Sequence, residues 1–246
     1  MITAWAYFWW VVLPYVAMAV FVIGHVWRWR YDQFGWTSRA TQLQERRSLK
    51  WGSPLFHYGT FAAIAGHVMG ILIPARWTSK VGISPHVYHL FAASAGLLAA
   101  ILVIGGMAVL AIRRVFVPRV RATTSPVDWV ALVLLGIIAV LGIVTTATNA
   151  PLEHEYRQTI SLWFRGLFNA NPDVSAALRA PLIFQIHAIA AWALILAWPF
   201  TRLVHAWSYP VWYLWRPYVV YRAKRGTPPN EPGTGGRKWR KIGVPY

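Results

Sequence analysis

Leu55-Phe56-His57-Tyr58-Gly59-Thr60-Phe61-Ala62-Ala63-Ile64-Ala65-Gly66-His67-Val68-Met69 is an apolar run that holds two histidines and no Asp, Glu, Lys or Arg. Extended to residues 54–75, it is long enough to cross a hydrocarbon core of about 30 Å as a helix rising 1.5 Å per residue. An ionisable group at membrane depth is costly, so it faces the bundle interior and marks function. His57 and His67, ten residues apart, stand about 15 Å apart along such a helix. The stretch therefore reads as a membrane helix with chemistry at two depths.

Four further runs of the same kind lie outward from it, at residues 4–27, 88–112, 128–148 and 181–206. An odd number of crossings puts the termini on opposite sides. Of the 246 residues 57% are hydrophobic and only 13% charged, against roughly 25% charged in soluble domains. The fold class is an all-α polytopic membrane protein, a bundle of five transmembrane helices. Pro14 interrupts the first run, Pro54 opens the second, Pro74 closes it and Pro199 is expected to kink the fifth. Trp5, Trp9 and Trp10 at one end of the first helix, Trp27 and Trp29 at the other, and Trp207, Trp212 and Trp215 after the fifth fit interfacial aromatic belts.

A net charge of +17 from 24 Lys and Arg would suggest nucleic acid in a soluble protein, so their distribution decides. Nineteen of the 24 fall in three groups: Arg28 to Lys50, Arg113 to Arg121, and Arg202 to Lys241. Only Arg76, Lys80, Arg157, Arg165 and Arg179 lie in the alternate segments. Topology by the positive-inside rule accounts for this, with the N-terminus outside and the C-terminus inside, and anionic lipid rather than nucleic acid is the partner of the charge. The first run has no basic segment before it and exceeds a signal-peptide core, so it reads as a retained anchor. With no cysteine, disulfides, Cys-ligated Fe–S clusters and c-type haem attachment are excluded. Residues 1–225 form the membrane domain, and 226–246 form a basic Pro/Gly-rich tail of linker composition.

Of eight histidines, His86, His89 and His154 fall in or beside outer loops, with Glu153, Glu155 and Asp173 in the longer one, and His25 lies at the inner interface. Four remain. His187 and His205 share the fifth run, eighteen residues apart. Because that helix runs antiparallel to the second, His57 is level with His205 and His67 with His187. The axial spacings differ by about 12 Å, which a kink and tilt must absorb. Two His from facing helices fill both axial positions of a haem iron, so each pair is expected to hold one b-type haem suited to electron transfer. A zinc site would gather three or four ligands at one depth instead. Gly59, Ala63, Gly66 and Gly70, with Ala188 and Ala191 beside His187, would let a flat macrocycle approach, unless they serve ordinary small-residue helix packing.

Pro14-Tyr15-Val16-Ala17, Arg30-Tyr31-Asp32, Leu55-Phe56-His57, Gly66-His67, Pro118-Arg119-Val120-Arg121-Ala122-Thr123-Thr124 and Pro199-Phe200-Thr201-Arg202-Leu203-Val204-His205-Ala206-Trp207-Ser208 resemble the membrane cytochrome b (gamma) subunit of respiratory nitrate reductase. The likeness extends to Arg225. It implies an inner haem on His57 and His205 and an outer haem on His67 and His187. It also implies quinol oxidation beside the outer haem, and partners comprising an Fe–S (beta) subunit and a molybdenum (alpha) subunit that reduces nitrate in a prokaryotic plasma membrane. Where the family has a Lys at the outer start of the third helix, this sequence has Pro85, His86 and His89. His86 is expected to take the basic role of the quinol site, with Gly66 lining the same pocket, and Arg202 to meet a haem propionate. A gamma-type cytochrome b from sulfur metabolism and a His-based proton-coupled transporter are the rival readings.

Overall fold

The computed structural model describes residues 3–32, 35–149 and 156–208. They form helices α1 Ala4–Tyr31, α2 Arg47–Leu72, α3 Ala75–Lys80, α4 Pro85–Phe116, α5 Pro118–Ala122, α6 Pro126–Asn149, α7 Ile160–Phe168, α8 Val174–Arg179 and α9 Leu182–Phe200, with no strand among them. Five of these, α1, α2, α4, α6 and α9, are long and apolar enough to span a membrane. Glu153, His154, Glu155 and the tail expected from residue 226 lie outside the described residues.

The long helices pack in a row: α2 along α4, α4 on α6, α6 on α9, and α9 on α1. Glycine makes the tightest of these contacts possible. A Cβ at Gly59 would meet the Val103 backbone nitrogen at 2.7 Å, and one at Gly52 the Val109 side chain at 2.9 Å. One at Gly106 would land on the backbone of Phe56, beside His57. Overpacking a contact against backbone costs about 1–3 kcal/mol. Gly106→Val is therefore expected to lower stability by about 3 kcal/mol, read as an earlier thermal transition of the detergent-solubilised protein. An unchanged transition would mean that α2 and α4 separate without cost.

The prolines act through the carbonyls that they leave without a partner. Pro14 cannot donate to Trp10, and the chain accommodates it with a wider turn at Phe8–Val12. The Trp163 indole N–H of α7 donates to the Trp10 carbonyl at 2.7 Å. Pro54 does not open α2; the helix begins at Arg47 and Pro54 lies inside it. The bond it removes would have ended on the carbonyl of Lys50, which is exposed, so the helix continues through it.

Pro199 ends the fifth helix instead of kinking it. The α-helix stops at Ala197, a tight turn carries Trp198–Phe200, Thr201 is extended (φ −113°, ψ −178°), and a second tight turn spans Arg202–Ala206. Thr201 Oγ1 donates to the Trp198 carbonyl and accepts from the Leu203 N–H, which restarts the turn. From α1, the buried Arg28 donates to the carbonyls of Pro199 (2.9 Å) and Thr201 (3.1 Å). Gly24, one turn earlier, sits so close that a Cβ would meet Pro199 at 2.7 Å.

Residues 156–180 fold into the bundle and do not merely link α6 to α9. Trp163 is fully buried against Trp10 and Trp192, in a core that includes Ala17, Leu167 and Ala177. Arg165 donates to Ile71 O (2.7 Å), Arg157 to Ile73 O (2.9 Å) and Ser161 to Gly70 O (3.0 Å). These are the unpaired carbonyls at the end of α2. Two of the five basic residues that break the charge bias thus cap the helix that carries His67. At the other end of α2, Glu45 pairs with the buried Arg113 of α4 at 2.7 Å. The Ser48 backbone N–H holds the Glu45 carboxyl below the usual carboxylate range.

Candidate paired-histidine site

His57 and His205 face one another with ring centres 6.1 Å apart, and His67 and His187 with ring centres 6.0 Å apart. The break at Pro199 makes the first of these distances possible. On an unbroken helix His205 would lie about 27 Å from His187, against the 15 Å between His57 and His67. The extended residue and the turn after it bring His205 level with His57. The ring planes meet at 72° in one pair and 26° in the other.

Three of the four rings are held in one tautomer. His57 Nδ1–H donates to Ser53 O at 2.7 Å, His67 Nδ1–H to Ala63 O at 2.7 Å, and His205 Nδ1–H to Arg202 O at 2.6 Å. A carbonyl can only accept, so Nδ1 carries the proton and Nε2 keeps its lone pair, as a metal ligand needs. His187 differs: its Nδ1 is buried with no hydrogen-bond partner. Its ring lies over Gly142 of α6, where a Cβ would be 3.4 Å from Cε1.

An iron bound by two imidazoles at about 2 Å each separates their ring centres by about 6 Å. Both pairs meet that spacing. Among the described residues no group of three or more His, Asp or Glu converges as a metal site. A pair of imidazole nitrogens fits a metal whose other ligands come from a macrocycle, as in haem. The donor set and spacing fit that group at both levels.

The remaining site residues are sorted by their surroundings. Gly66 is open, with no atom within 4 Å of where its Cβ would stand. Gly59 and Gly70 are packing positions, against α4 and the Tyr156 side chain respectively, and Ala188 packs on the buried core. The stripe thus divides between helix packing and open space. His86 lies in the exposed first turn of α4. Arg202 is committed to Asp128 of α6, with Nη2 at 2.8 Å from Oδ2 and Nε against Oδ1. It also donates to Arg39 O and Thr123 O, which leaves one Nη1 hydrogen for a propionate. Arg114 lies 3.7 Å from the same buried carboxylate.

Several contributors were not legible in sequence. Asp128 fixes Arg202, whose carbonyl orients His205; Ser53 orients His57 through its carbonyl, with its hydroxyl 3.3 Å from the same ring nitrogen. Arg28 and Gly142 act across 171 residues and across a helix interface. A buried Asp in an apolar run was the one available signal for such a role.

Fold and site define a five-span membrane protein with two pairs of facing histidines, one pair at each of two depths. The chain belongs to the nitrate reductase gamma subunit family, which matches residues 6–224. It is 42% identical over 216 residues to the nitrate reductase gamma chain of Bacillus subtilis, covering 87% of this chain and 97% of that one. It is 34% identical over 215 residues to the respiratory nitrate reductase 1 gamma chain of Escherichia coli, covering 87% and 95%. A nitrate reductase-like protein NarX of Mycobacterium tuberculosis is 42% identical over 218 residues, which are 33% of its length. Membership implies other subunits of nitrate reductase, an oxidoreductase complex, as partners.

Proposed function

We propose that this chain is the quinol-oxidising cytochrome b subunit of a respiratory nitrate reductase, with one b-type haem between His57 and His205 and another between His67 and His187. The observation that carries the reading is the pair of ring separations near 6 Å, with Nε2 left free on three of the four rings by bonds at Nδ1. A haem held by each of these histidine pairs would supply one-electron transfer.

The chain's own residues do the remainder. Ser53, Ala63 and Arg202 lend their carbonyls to fix ring tautomers and orientation. A quinol gives up two protons with its two electrons, so a proton acceptor must stand near water at the oxidising level. His86 on the exposed turn of α4 is that acceptor in this reading, and open Gly66 lets the quinol ring approach α2 beside His67. The charge bias supports a reading with His67 and His187 on the outer side of a prokaryotic plasma membrane, protons leaving outward and electrons inward. The Fe–S beta subunit receives the electrons near His57 and His205, and the molybdenum alpha subunit reduces nitrate. Arg202 has one hydrogen left for a propionate.

A pyridine haemochromogen assay with potentiometric titration on the purified chain tests this: two b haems per chain are expected, and none would end the proposal. The Gly142 contact adds a finer test. Gly142→Val pushes on the His187 ring and is expected to lower loading of the outer pair while leaving the inner one full, seen as loss of one redox component. Equal loss of both components would show that the substitution damages the bundle at large.

A further inference from the structure

We propose that the turn at residues 41–45, with Leu43 at its apex, is a docking surface for a neighbouring subunit of the nitrate reductase complex, one that offers an apolar recess rimmed by carboxylates. Leu43 is 99% exposed, the most exposed of the large apolar side chains among the described residues. A single leucine at a surface is ordinary in itself. What distinguishes this one is that a buried arginine holds the turn that presents it.

Arg113 of α4, its side chain 3% exposed, donates to that turn from all three of its nitrogens. Nη1 donates to Thr41 Oγ1 at 2.8 Å, Nη2 to the carbonyls of Thr41 (2.8 Å) and Glu45 (2.7 Å), and Nε to the Glu45 carboxylate at 2.7 Å. Within the turn the backbone N–H groups of Gln44 and Glu45 donate to the Thr41 carbonyl, and Glu45 Oε1 accepts from the Ser48 N–H at 2.9 Å. Arg202 reaches the same segment from the turn that carries His205, donating to the Arg39 carbonyl at 3.1 Å. The loop is thus ordered before anything binds it, so a partner meets little of the usual entropy cost of fixing a loop. Leu43 takes no part in these bonds and points its side chain into solvent.

The flanking residues define the partner. Arg39, Arg46, Arg47 and Lys50 lie on either side of the apex in sequence and are exposed, whereas Glu45, the one acidic residue between 37 and 50, is committed to Arg113. A recess that takes Leu43 therefore needs carboxylates around it, and a basic partner is repelled. Anionic lipid meets the charge but not the apolar side chain: Leu43 stands between Gln42 and Gln44 and is the one large apolar residue of 37–48. That is too little apolar surface to anchor a segment in a bilayer, yet enough to fill a pocket in a protein. The bond from Arg202 to Arg39 sets the surface beside the turn that carries His205, so the subunit that docks there stands next to the pair formed by His57 and His205.

The inference rests on membership in the family and not on the haems. The sequence has no cysteine, so Leu43→Cys gives the chain a single thiol. It is labelled with a maleimide in membranes holding the intact complex and, for comparison, in the chain alone in nanodiscs of anionic phospholipid, with the labelled peptide counted by mass spectrometry. Rates are referred to Val81→Cys, a 73% exposed position just after α3. Labelling at position 43 is expected to be at least tenfold slower in the complex than in the chain alone. Leu43→Asp, which sets an anion against the carboxylate rim, is expected to lower the share of chain that copurifies with the other subunits about tenfold, and Leu43→Met to leave it unchanged. Equal labelling in the two preparations, or undiminished copurification of Leu43→Asp, would overturn the proposal. Slow labelling in the nanodisc would do so too, by showing that lipid covers Leu43. Haem content of the same membranes reports separately on the proposed function: absent haem with a protected thiol removes that reading and leaves the surface, whereas two haems with an unprotected thiol do the reverse.

Discussion

If each histidine pair holds a haem as proposed, His67→Ala is expected to reduce haem content from two per chain to one and to abolish quinol-driven electron delivery, with the centre at His57 and His205 still reducible by dithionite. The reason is geometric. His67 and His187 stand 6.0 Å apart, and neither pair shares a ligand with the other. His187→Leu is expected to give the same phenotype, because under that proposal the pair would keep only one imidazole to hold the haem. The measurement pairs a haemochromogen count with potentiometry and quinol oxidation kinetics. Two haems remaining in His67→Ala would remove the assignment of that level.

Arg28→Ala is expected to be the most destabilising single change outside the ligands. Arg28 is 7% exposed and donates to three backbone carbonyls, those of Pro199, Thr201 and Gly35. Each buried carbonyl left without a donor costs about 1–3 kcal/mol, so the three together cost about 3–9 kcal/mol. The damage concentrates where the fifth helix breaks, four residues before His205, so the haem proposed between His57 and His205 should be lost first. Arg28→Lys is not expected to rescue, since one ammonium lacks the planar fork that reaches several carbonyls. Thermal unfolding in detergent and the haem count together check this. Full stability with both haems in Arg28→Ala would show that solvent satisfies those carbonyls.

The two substitutions separate chemistry from architecture. Replacing a paired histidine removes one pair from a sound bundle, whereas replacing Arg28 leaves all four histidines in place and removes what sets one of them. Asp128 belongs with Arg28: it touches neither ring, yet it holds Arg202, whose carbonyl orients His205.

Composition, run length and the antiparallel course of consecutive spans determined the five helices, the four intramembrane histidines and their pairing. These follow from local hydropathy and from alternation of direction, both carried by residues near one another in the chain. The mismatch between ten and eighteen residues was visible too, as a problem without a solution. Its resolution lies in tertiary structure: Pro199 stops the helix, and Arg28, 171 residues earlier, satisfies the buried carbonyls at the break. Whether a glycine faces backbone, as Gly59 does, or open space, as Gly66 does, likewise depends on which helix stands opposite. Periodicity records a residue's own helix face but not the neighbour across from it, so the facing histidines were legible in sequence and the contacts that aim them were not.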